Sequence, residues 1–146
     1  MSVNSRTIRA TPEKVWEVLS DGWLYPVWVV GATRMRDVDA SWPQVGAKIH
    51  HSAGVWPAIV DDNTEVLESE PARYLKLRAR GWPMGEAHVT MTITPSGDDA
   101  RVEIVEEAVS GPAALVPKPA MDLMIKVRNV ESLRRLAFIA ERRATD

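Results

Sequence analysis

Apolar and polar residues alternate with a period of two through the middle of the chain, and this period predicts β-strands. The pattern is clearest over residues 75–79 and 87–93. Polar residues occupy the positions between the apolar ones, as expected for strands that bury one face and leave the other in water. On the wet face we expect Lys76, Arg78 and Arg80 to lie beside acidic residues of neighbouring strands.

Seven segments have this strand character, and turn signals such as SWPQVG, SEPA and PSGDD separate several of them. In chain order the segments are VNSRTIRA, ATRMRDVD, GAKIHHSAGV, AIVDDNTEVLESE, RYLKLRARG, EAHVTMTITP and ARVEIVEEAV. Because the strands bury only one face, together they predict a single antiparallel sheet with one dry side.

Helical spacing follows the first strand, in TPEKVWEVLSD. Thr11 suits the N-cap, Pro12 the first helical position, and Glu13 the positive end of the helix dipole. Pro26 interrupts the next segment, GWLYPVWVVG, so we expect a second short helix or a turn there.

A long helix is predicted from about Ala120 to Arg143, because apolar residues recur there at helical spacing. Its inward stripe comprises Met121, Ile125, Asn129, Leu133, Leu136, Ala137 and Ala140. No other predicted helix is long enough to cover the dry face of the sheet. The predicted order is β-α-α-β-β-β-β-β-β-α, which is an α+β fold.

The composition, 45% hydrophobic and 26% charged over 146 residues, is typical of a single globular domain covering 1–146. A formal net charge of −2 gives no reason to expect nucleic acid as a partner. The absence of cysteine excludes disulfides, thiolate metal sites and cysteine nucleophiles. The N-terminus lacks the apolar stretch of a secretory signal, and the segment GWLYPVWVVGAT is too short to span a bilayer. We therefore expect a cytoplasmic protein with no stable membrane insertion.

The last strand places a carboxylate where an apolar residue is expected. In RVEIVEEAVSGP, the face that carries Val102 and Ile104 continues through Glu106. Successive side chains point to opposite faces, so either Glu106 or Glu107 should point inward, unless a bulge turns both outward. An ionised carboxylate without partners is costly to bury. The inward acid therefore either faces a ligand or water, or pairs with an arginine such as Arg128.

His51 poses a similar question on another strand. In GAKIHHSAGV it falls on the apolar face with Ala47 and Ile49, whereas His50 points away. Two interpretations stay open: a core histidine bonded to a backbone carbonyl or a carboxylate, or a histidine that contacts a ligand. We predict no metal site, because adjacent histidines on a strand cannot comfortably share one metal and no histidine pair has chelating spacing.

Further candidate ligand-binding residues lie on the long helix. Asn129 interrupts its apolar stripe, and an amide there can bond either a ligand oxygen or a loop carbonyl. The same end of the helix contributes Ile125 and two methionines, Met121 and Met124. Flexible thioethers suit an adaptable pocket wall, although such methionines also occur in ordinary cores.

Tryptophans supply the remaining candidates. Trp28 follows the break at Pro26, and Trp56 and Trp82 each precede a proline. An indole beside irregular backbone suits the mouth of a cavity, where one side meets ligand and the other meets water. Plugging of the open end of the core is the alternative, and Tyr25 fits either role.

Most sequence signatures of enzymes are absent. The chain has no Gly-rich phosphate loop and no nucleophile elbow, and we predict no cofactor. What remains is proton chemistry, which needs few groups and leaves no sequence signature.

Three stretches, TPEKVWEVLSD, WLYPVWV and RNVESLRRLAFIAE, together with the series of strands between them, resemble the SRPBCC or START-like superfamily. The closest resemblance is to its polyketide cyclase/dehydrase-type branch, and it covers nearly the whole chain. It implies a helix-grip fold, in which a curved antiparallel sheet of about seven strands wraps around a long C-terminal helix. It also implies an elongated cavity between sheet and helix that accepts an apolar ligand.

Two functions are compatible with that cavity. The first is binding of a hydrophobic small molecule such as a lipid, a polyketide or an aromatic metabolite. The second is cyclisation or dehydration of a polyketide, with Glu106 or His51 moving protons while the cavity folds the reactive chain. The exposed edge strands also allow a homodimer, although no specific signal for one is present.

Overall fold

The computed structural model describes residues 2–30, 32–55, 58–81, 85–111, 115 and 117–145. These residues form seven strands and three helices, with a short 3₁₀-helix at Gly22–Leu24. The strands are β1 Ser2–Ile8, β2 Ala32–Val38, β3 Lys48–Val55, β4 Ala58–Glu70, β5 Tyr74–Gly81, β6 Gly85–Ser96 and β7 Asp99–Ser110. The helices are α1 Pro12–Ser20, α2 Tyr25–Trp28 and α3 Lys118–Thr145.

All seven strands belong to one curved antiparallel sheet with the order β1-β7-β6-β5-β4-β3-β2. Strands β2 to β7 are each hydrogen-bonded to the next in the chain, and β1 closes the order by pairing with β7. Helix α3 lies against β1, α1 and α2. The predicted α+β helix-grip fold is therefore confirmed.

Local signals place the first helices as predicted. The Thr11 hydroxyl oxygen accepts a hydrogen bond from the backbone N–H of Lys14 at 3.3 Å, which caps α1. Pro26 lies in the first turn of α2, where its missing N–H breaks no helical hydrogen bond. Within the segment GWLYPVWVVG, Gly22–Leu24 form a 3₁₀-helix and Tyr25–Trp28 form one α-helical turn.

Ion pairs between neighbouring strands cover the wet face of the sheet. The three basic residues of β5 each reach an acid on an adjacent strand, as predicted. The pairs are Lys76–Glu68 at 3.6 Å, Arg80–Glu86 at 2.7 Å, and Arg78–Glu65. These charges lie across the strands from one another, so they stabilise the pairing without entering the interior.

The apolar core is formed where the C-terminal half of α3 meets the sheet and α1. Its largest contributors are buried aliphatic side chains from almost every element, and this apolar packing holds α3 on the sheet. They include Ile8, Val15, Val18, Ile49, Leu75, Met91, Val102, Ile104, Leu133 and Leu136.

The outer face of α3 is exposed and mixed in character. Leu123, Met124, Val127 and Val130 are exposed there, between charged residues. Among the described residues, no helix combines the length and the apolar character that crossing a membrane would need.

Leu136→Ala should lower the free energy of unfolding by roughly 2–5 kcal/mol, because Leu136 is fully buried in the core and its truncation leaves a cavity. Leu123→Ala is the matched control on the same helix, and it should change stability by less than about 0.5 kcal/mol because Leu123 is exposed. Urea denaturation of both variants measures the difference. Equal losses would contradict this orientation of α3.

Candidate functional site

The carboxylate of Glu106 points into the interior. Buried positions alternate along β7 from Ala100 to Glu106, and Glu107 is exposed. Pairing with β6 continues without a shift through Glu106 and Glu107, whose partners are Val89 and His88. The irregularity in this pair of strands occurs further along, between Glu86 and Ala87, so no bulge turns both acids outward.

Two residues of α3 bind this carboxylate. The Arg128 guanidinium donates to Glu106 Oε2 in a salt bridge, and Asn129 Nδ2 donates to Oε1 at 3.5 Å. The Glu106 side chain is 6% exposed and that of Arg128 is 41% exposed, so the pair runs from the interior to the surface. The arginine pairing that the sequence left open is therefore present, and it satisfies the buried charge.

A second polar group lies on β3, β4 and α2. His51 Nε2 is 2.8 Å from the hydroxyl oxygen of Thr64, and the Tyr25 hydroxyl is 3.4 Å from the same oxygen. All three side chains are buried. The rings of Tyr25 and His51 are stacked, with centroids 5.6 Å apart and an interplanar angle of 24°.

Burial keeps both rings of this group neutral near pH 7. It lowers the pKa of His51, because a charged imidazolium would lose its hydration; Asp62 opposes this shift, while Arg36 and His50 reinforce it. Burial likewise raises the pKa of the Tyr25 phenol.

The charges of Arg128 and Glu106 also act on the Tyr25 phenol, in opposite directions. Arg128 lowers the pKa of Tyr25 and Glu106 raises it. The group around His51 is therefore electrostatically connected to the group around Glu106.

One atom of this group has no partner. His51 Nδ1 is buried and makes no hydrogen bond to any of the residues that the structure describes. Thr64 is hydrogen-bonded to the other ring nitrogen, so only one of the two ring nitrogens has a partner among the described residues.

Small residues line the inner face of the sheet beside these polar groups. Thr64 of β4 pairs with Ala79 of β5, Ala79 pairs with Ala87 of β6, and Ala87 pairs with Ala108 of β7. The three alanines follow the inward alternation of their strands, yet all three are only half-buried. The neighbouring row of Val66, Leu77, Val89 and Glu106 carries larger side chains. The inner face therefore carries smaller side chains along the alanine row than along the neighbouring row.

The candidate residues of α3 differ in how far they are buried. Ile125 and Asn129 are buried on the side that faces the sheet, and Met121 is half-buried. Met124 is 63% exposed and lies on the outer side of the helix.

The candidate tryptophans are only partly described. Trp28 is buried in the core and makes an edge-to-face contact with Tyr25, with ring centroids 5.7 Å apart. Trp56 and Trp82 lie outside the described residues.

Sequence reasoning did not single out Thr64, and it left Tyr25 undecided. The available signal for Thr64 was its position two residues before Val66, on the inward face of β4. A hydroxyl at an inward position is a modest signal, whereas a glutamate there is conspicuous.

The described residues form a surface groove but no candidate metal site. No cluster of three or more histidine, aspartate or glutamate side chains within the described part of the chain is arranged to hold a metal ion. A groove of about 210 Å³ on the outer side of α3 is lined by Val27, Arg134, Arg135, Phe138 and Ile139. None of these five residues belongs to the buried polar groups.

Comparison with known families gives one match along nearly the whole chain. A family model described as polyketide cyclase / dehydrase and lipid transport matches residues 2–141. No curated protein matches the chain significantly.

Solved structures of similar fold have low sequence identity to this chain. A Chromobacterium violaceum protein is 21% identical with a TM-score of 0.67, over 95% of this chain and 96% of its own. A Mesorhizobium loti protein is 23% identical with a TM-score of 0.69, over 96% of both chains. The di-domain ARO/CYC StfQ from the steffimycin biosynthetic pathway is 11% identical with a TM-score of 0.76, over 99% of this chain and 51% of its own. At these identities the likeness concerns the fold.

Glu106→Gln should destabilise the protein by roughly 1–2 kcal/mol, because it removes the charge that Arg128 pairs with while leaving a buried amide in its place. Glu107→Gln, one residue away and exposed, is the control and should stay within about 0.5 kcal/mol of the parent protein. Chemical denaturation near pH 7 measures both. A larger effect at Glu107 would show that the inward acid has been misassigned.

His51 should make the protein less stable as the pH falls. Its folded-state pKa lies below the unfolded value of about 6.5, so the unfolded chain binds the proton more readily. This contribution to stability is complete above that unfolded pKa and is lost as the pH falls through the folded pKa. His51→Gln should therefore lose less stability than the parent protein between pH 7 and pH 5, as measured by denaturation at each pH. Parallel losses would contradict the assignment.

Proposed function

The chain belongs to the polyketide cyclase/dehydrase and lipid-transport family, and on this premise we propose that it binds a hydrophobic small molecule between the sheet and α3. The resemblance to the SRPBCC superfamily drawn from the sequence is thereby confirmed. The ligand classes that we consider are lipids, polyketides and aromatic metabolites.

The observation that carries this proposal is the alanine row. Ala79, Ala87 and Ala108 face inward but remain half-buried, whereas inward residues at the other end of the sheet, such as Ala100, are fully buried. A close-packed interior would cover all of them equally. Half-buried small residues on an inner face support the presence of space for a ligand beside them.

Polar groups border that row on two sides. Thr64 and His51 lie at its β4 end, and Glu106 lies next to its β7 end with Arg128 and Asn129 above it. A mainly apolar wall with a few fixed polar groups is typical of small-molecule sites, because the apolar surface supplies affinity and the polar atoms fix orientation. We assign Ile125, Asn129 and His51 to this wall. Met121 lies near its edge, and Met124 would reach it only after a rearrangement of the helix surface.

Catalysis of a polyketide cyclisation or dehydration is the second candidate function. The specific observation that favours it is His51, because burial lowers the pKa of its imidazole and its Nδ1, which has no partner among the described residues, can donate or accept a proton according to the tautomer. Glu106 is bound to Arg128 and Asn129, so we assign it to positioning those residues rather than to accepting a proton. Turnover of an identified substrate that is lost in His51→Gln and kept in Glu107→Gln would favour this function over binding alone.

Ala79→Leu should fill the proposed ligand space. Freshly purified parent protein should retain an apolar compound detectable by native mass spectrometry, and Ala79→Leu should lose it while staying as stable as the parent. Ala100→Leu is the matched control, since Ala100 is inward and fully buried, and it should lose roughly 1–3 kcal/mol by overpacking. If Ala79→Leu is as destabilising as Ala100→Leu, the alanine row is already filled and the proposal fails.

A further inference from the structure

The unpartnered nitrogen of His51 requires an explanation. Buried polar atoms in folded proteins are nearly always hydrogen-bonded, so an exception at a candidate site calls for a physical explanation. His51 is 4% exposed, and its Nδ1 has no partner among the described residues although Nε2 is bound by Thr64. The same ring is stacked on Tyr25, which limits its rotation.

The number of available protons limits how this group can be hydrogen-bonded. Thr64 has one hydroxyl proton and contacts two neighbours, His51 Nε2 and the Tyr25 hydroxyl. In a first arrangement, the Tyr25 hydroxyl donates to Thr64 and the Thr64 hydroxyl donates to His51 Nε2. The single ring proton of neutral His51 is then on Nδ1, which becomes a free donor.

A second arrangement uses the same contacts in the opposite direction. His51 Nε2 carries the ring proton and donates to Thr64, and the Thr64 hydroxyl donates to the oxygen of Tyr25. Nδ1 is then a free acceptor, and the Tyr25 proton points away from Thr64. The change between the two arrangements moves one ring proton from Nδ1 to Nε2 and turns two hydroxyl groups. The net charge of the group does not change.

We propose, on the basis of the function proposed above, that His51 Nδ1 binds the oxygen of a neutral ligand and accepts both ketones and alcohols. A carbonyl oxygen is an acceptor only, so it selects the first arrangement, in which Nδ1 donates. An alcohol can donate its proton, and an imidazole nitrogen is a strong acceptor, so we expect an alcohol to select the second arrangement, in which Nδ1 accepts. Thr64 and Tyr25 are positioning residues. Their hydroxyl groups can turn to hydrogen-bond either tautomer of His51, so no buried charge is formed. The ligand class is thus an apolar compound that carries a ketone or a hydroxyl group.

Neighbouring charges are consistent with a neutral ligand. Arg36 donates to the backbone oxygens of His51 and Asp62, so its guanidinium is already bound to protein. Arg128 is paired with Glu106. An anionic ligand beside His51 would therefore compete for cations that have partners, and a neutral imidazole would offer it no ion pair.

Three probes with one tricyclic framework test this inference: fluorene, which has no oxygen, fluorenone, which only accepts, and fluorenol, which also donates. Titration of the parent protein should show fluorenone and fluorenol binding roughly fivefold to tenfold more tightly than fluorene, the increment of one net hydrogen bond. His51→Phe should bind all three with equal affinity. The parent protein alone suffices for the ranking, so a failure of this variant to fold would not affect the test.

Nuclear magnetic resonance of the isotope-labelled imidazole nitrogens provides the second measurement. The His51 proton should be on Nδ1 in the fluorenone complex and on Nε2 in the fluorenol complex. Thr64→Val should abolish this difference and Thr64→Ser should restore it, a response that a purely structural role of Thr64 would not produce.

The outcomes separate the two proposals. If all three probes bind with equal affinity, or if His51 keeps one tautomer in both complexes, this inference is overturned while the proposed function stands. If none of the probes binds, this inference is overturned, and the proposed function is decided separately by native mass spectrometry of the freshly purified protein. Preferential binding of the two oxygenated probes with opposite tautomers supports both.

Discussion

A carboxylate on the inner face of a sheet must find a partner, and this requirement shapes the site. Glu106 continues the inward alternation of β7, and its charge is satisfied by Arg128 and Asn129 of α3. Removing one member of such a pair leaves the other without compensation, so the contact favours the rotation of α3 that places Arg128 and Asn129 over β7. The apolar packing of the C-terminal half of α3 favours the same rotation.

The two ends of the interior differ in the size of the side chains that line them. At one end the C-terminal half of α3 packs on large aliphatic side chains that are fully buried. At the other end the sheet presents small residues, Ala79, Ala87 and Ala108, between buried polar groups. Tight packing at the first end stabilises the fold, and under the proposed function this leaves the second end to accommodate a ligand. Affinity and orientation of a ligand would then depend on the second end alone.

Two buried polar groups serve different purposes in this arrangement. The group around Glu106 is satisfied within the protein, because its carboxylate is bound by residues of α3. Among the described residues, His51 is hydrogen-bonded at one ring nitrogen only, by Thr64, and burial opposes charge on both the imidazole and the Tyr25 phenol. An ion pair within the protein fixes the positions of the side chains that form it. A buried nitrogen that lacks a hydrogen-bond partner among the described residues can instead bind a ligand.

The sequence by itself determined the elements and the faces. The period-two pattern located the strands to within two residues at each end, and Thr11 and Pro26 marked how the first helices begin. It also predicted that His51 points inward and that Glu106 or Glu107 does so unless a bulge turns both acids outward, because alternation along a strand is a local property. Only the tertiary structure decided that Glu106 is the inward acid, that Tyr25 reaches Thr64 across 39 positions of the chain, and that three alanines form one row. Those facts depend on strand register and on the position of α3, which arise from contacts between residues distant in the chain and leave no periodic signal in the sequence.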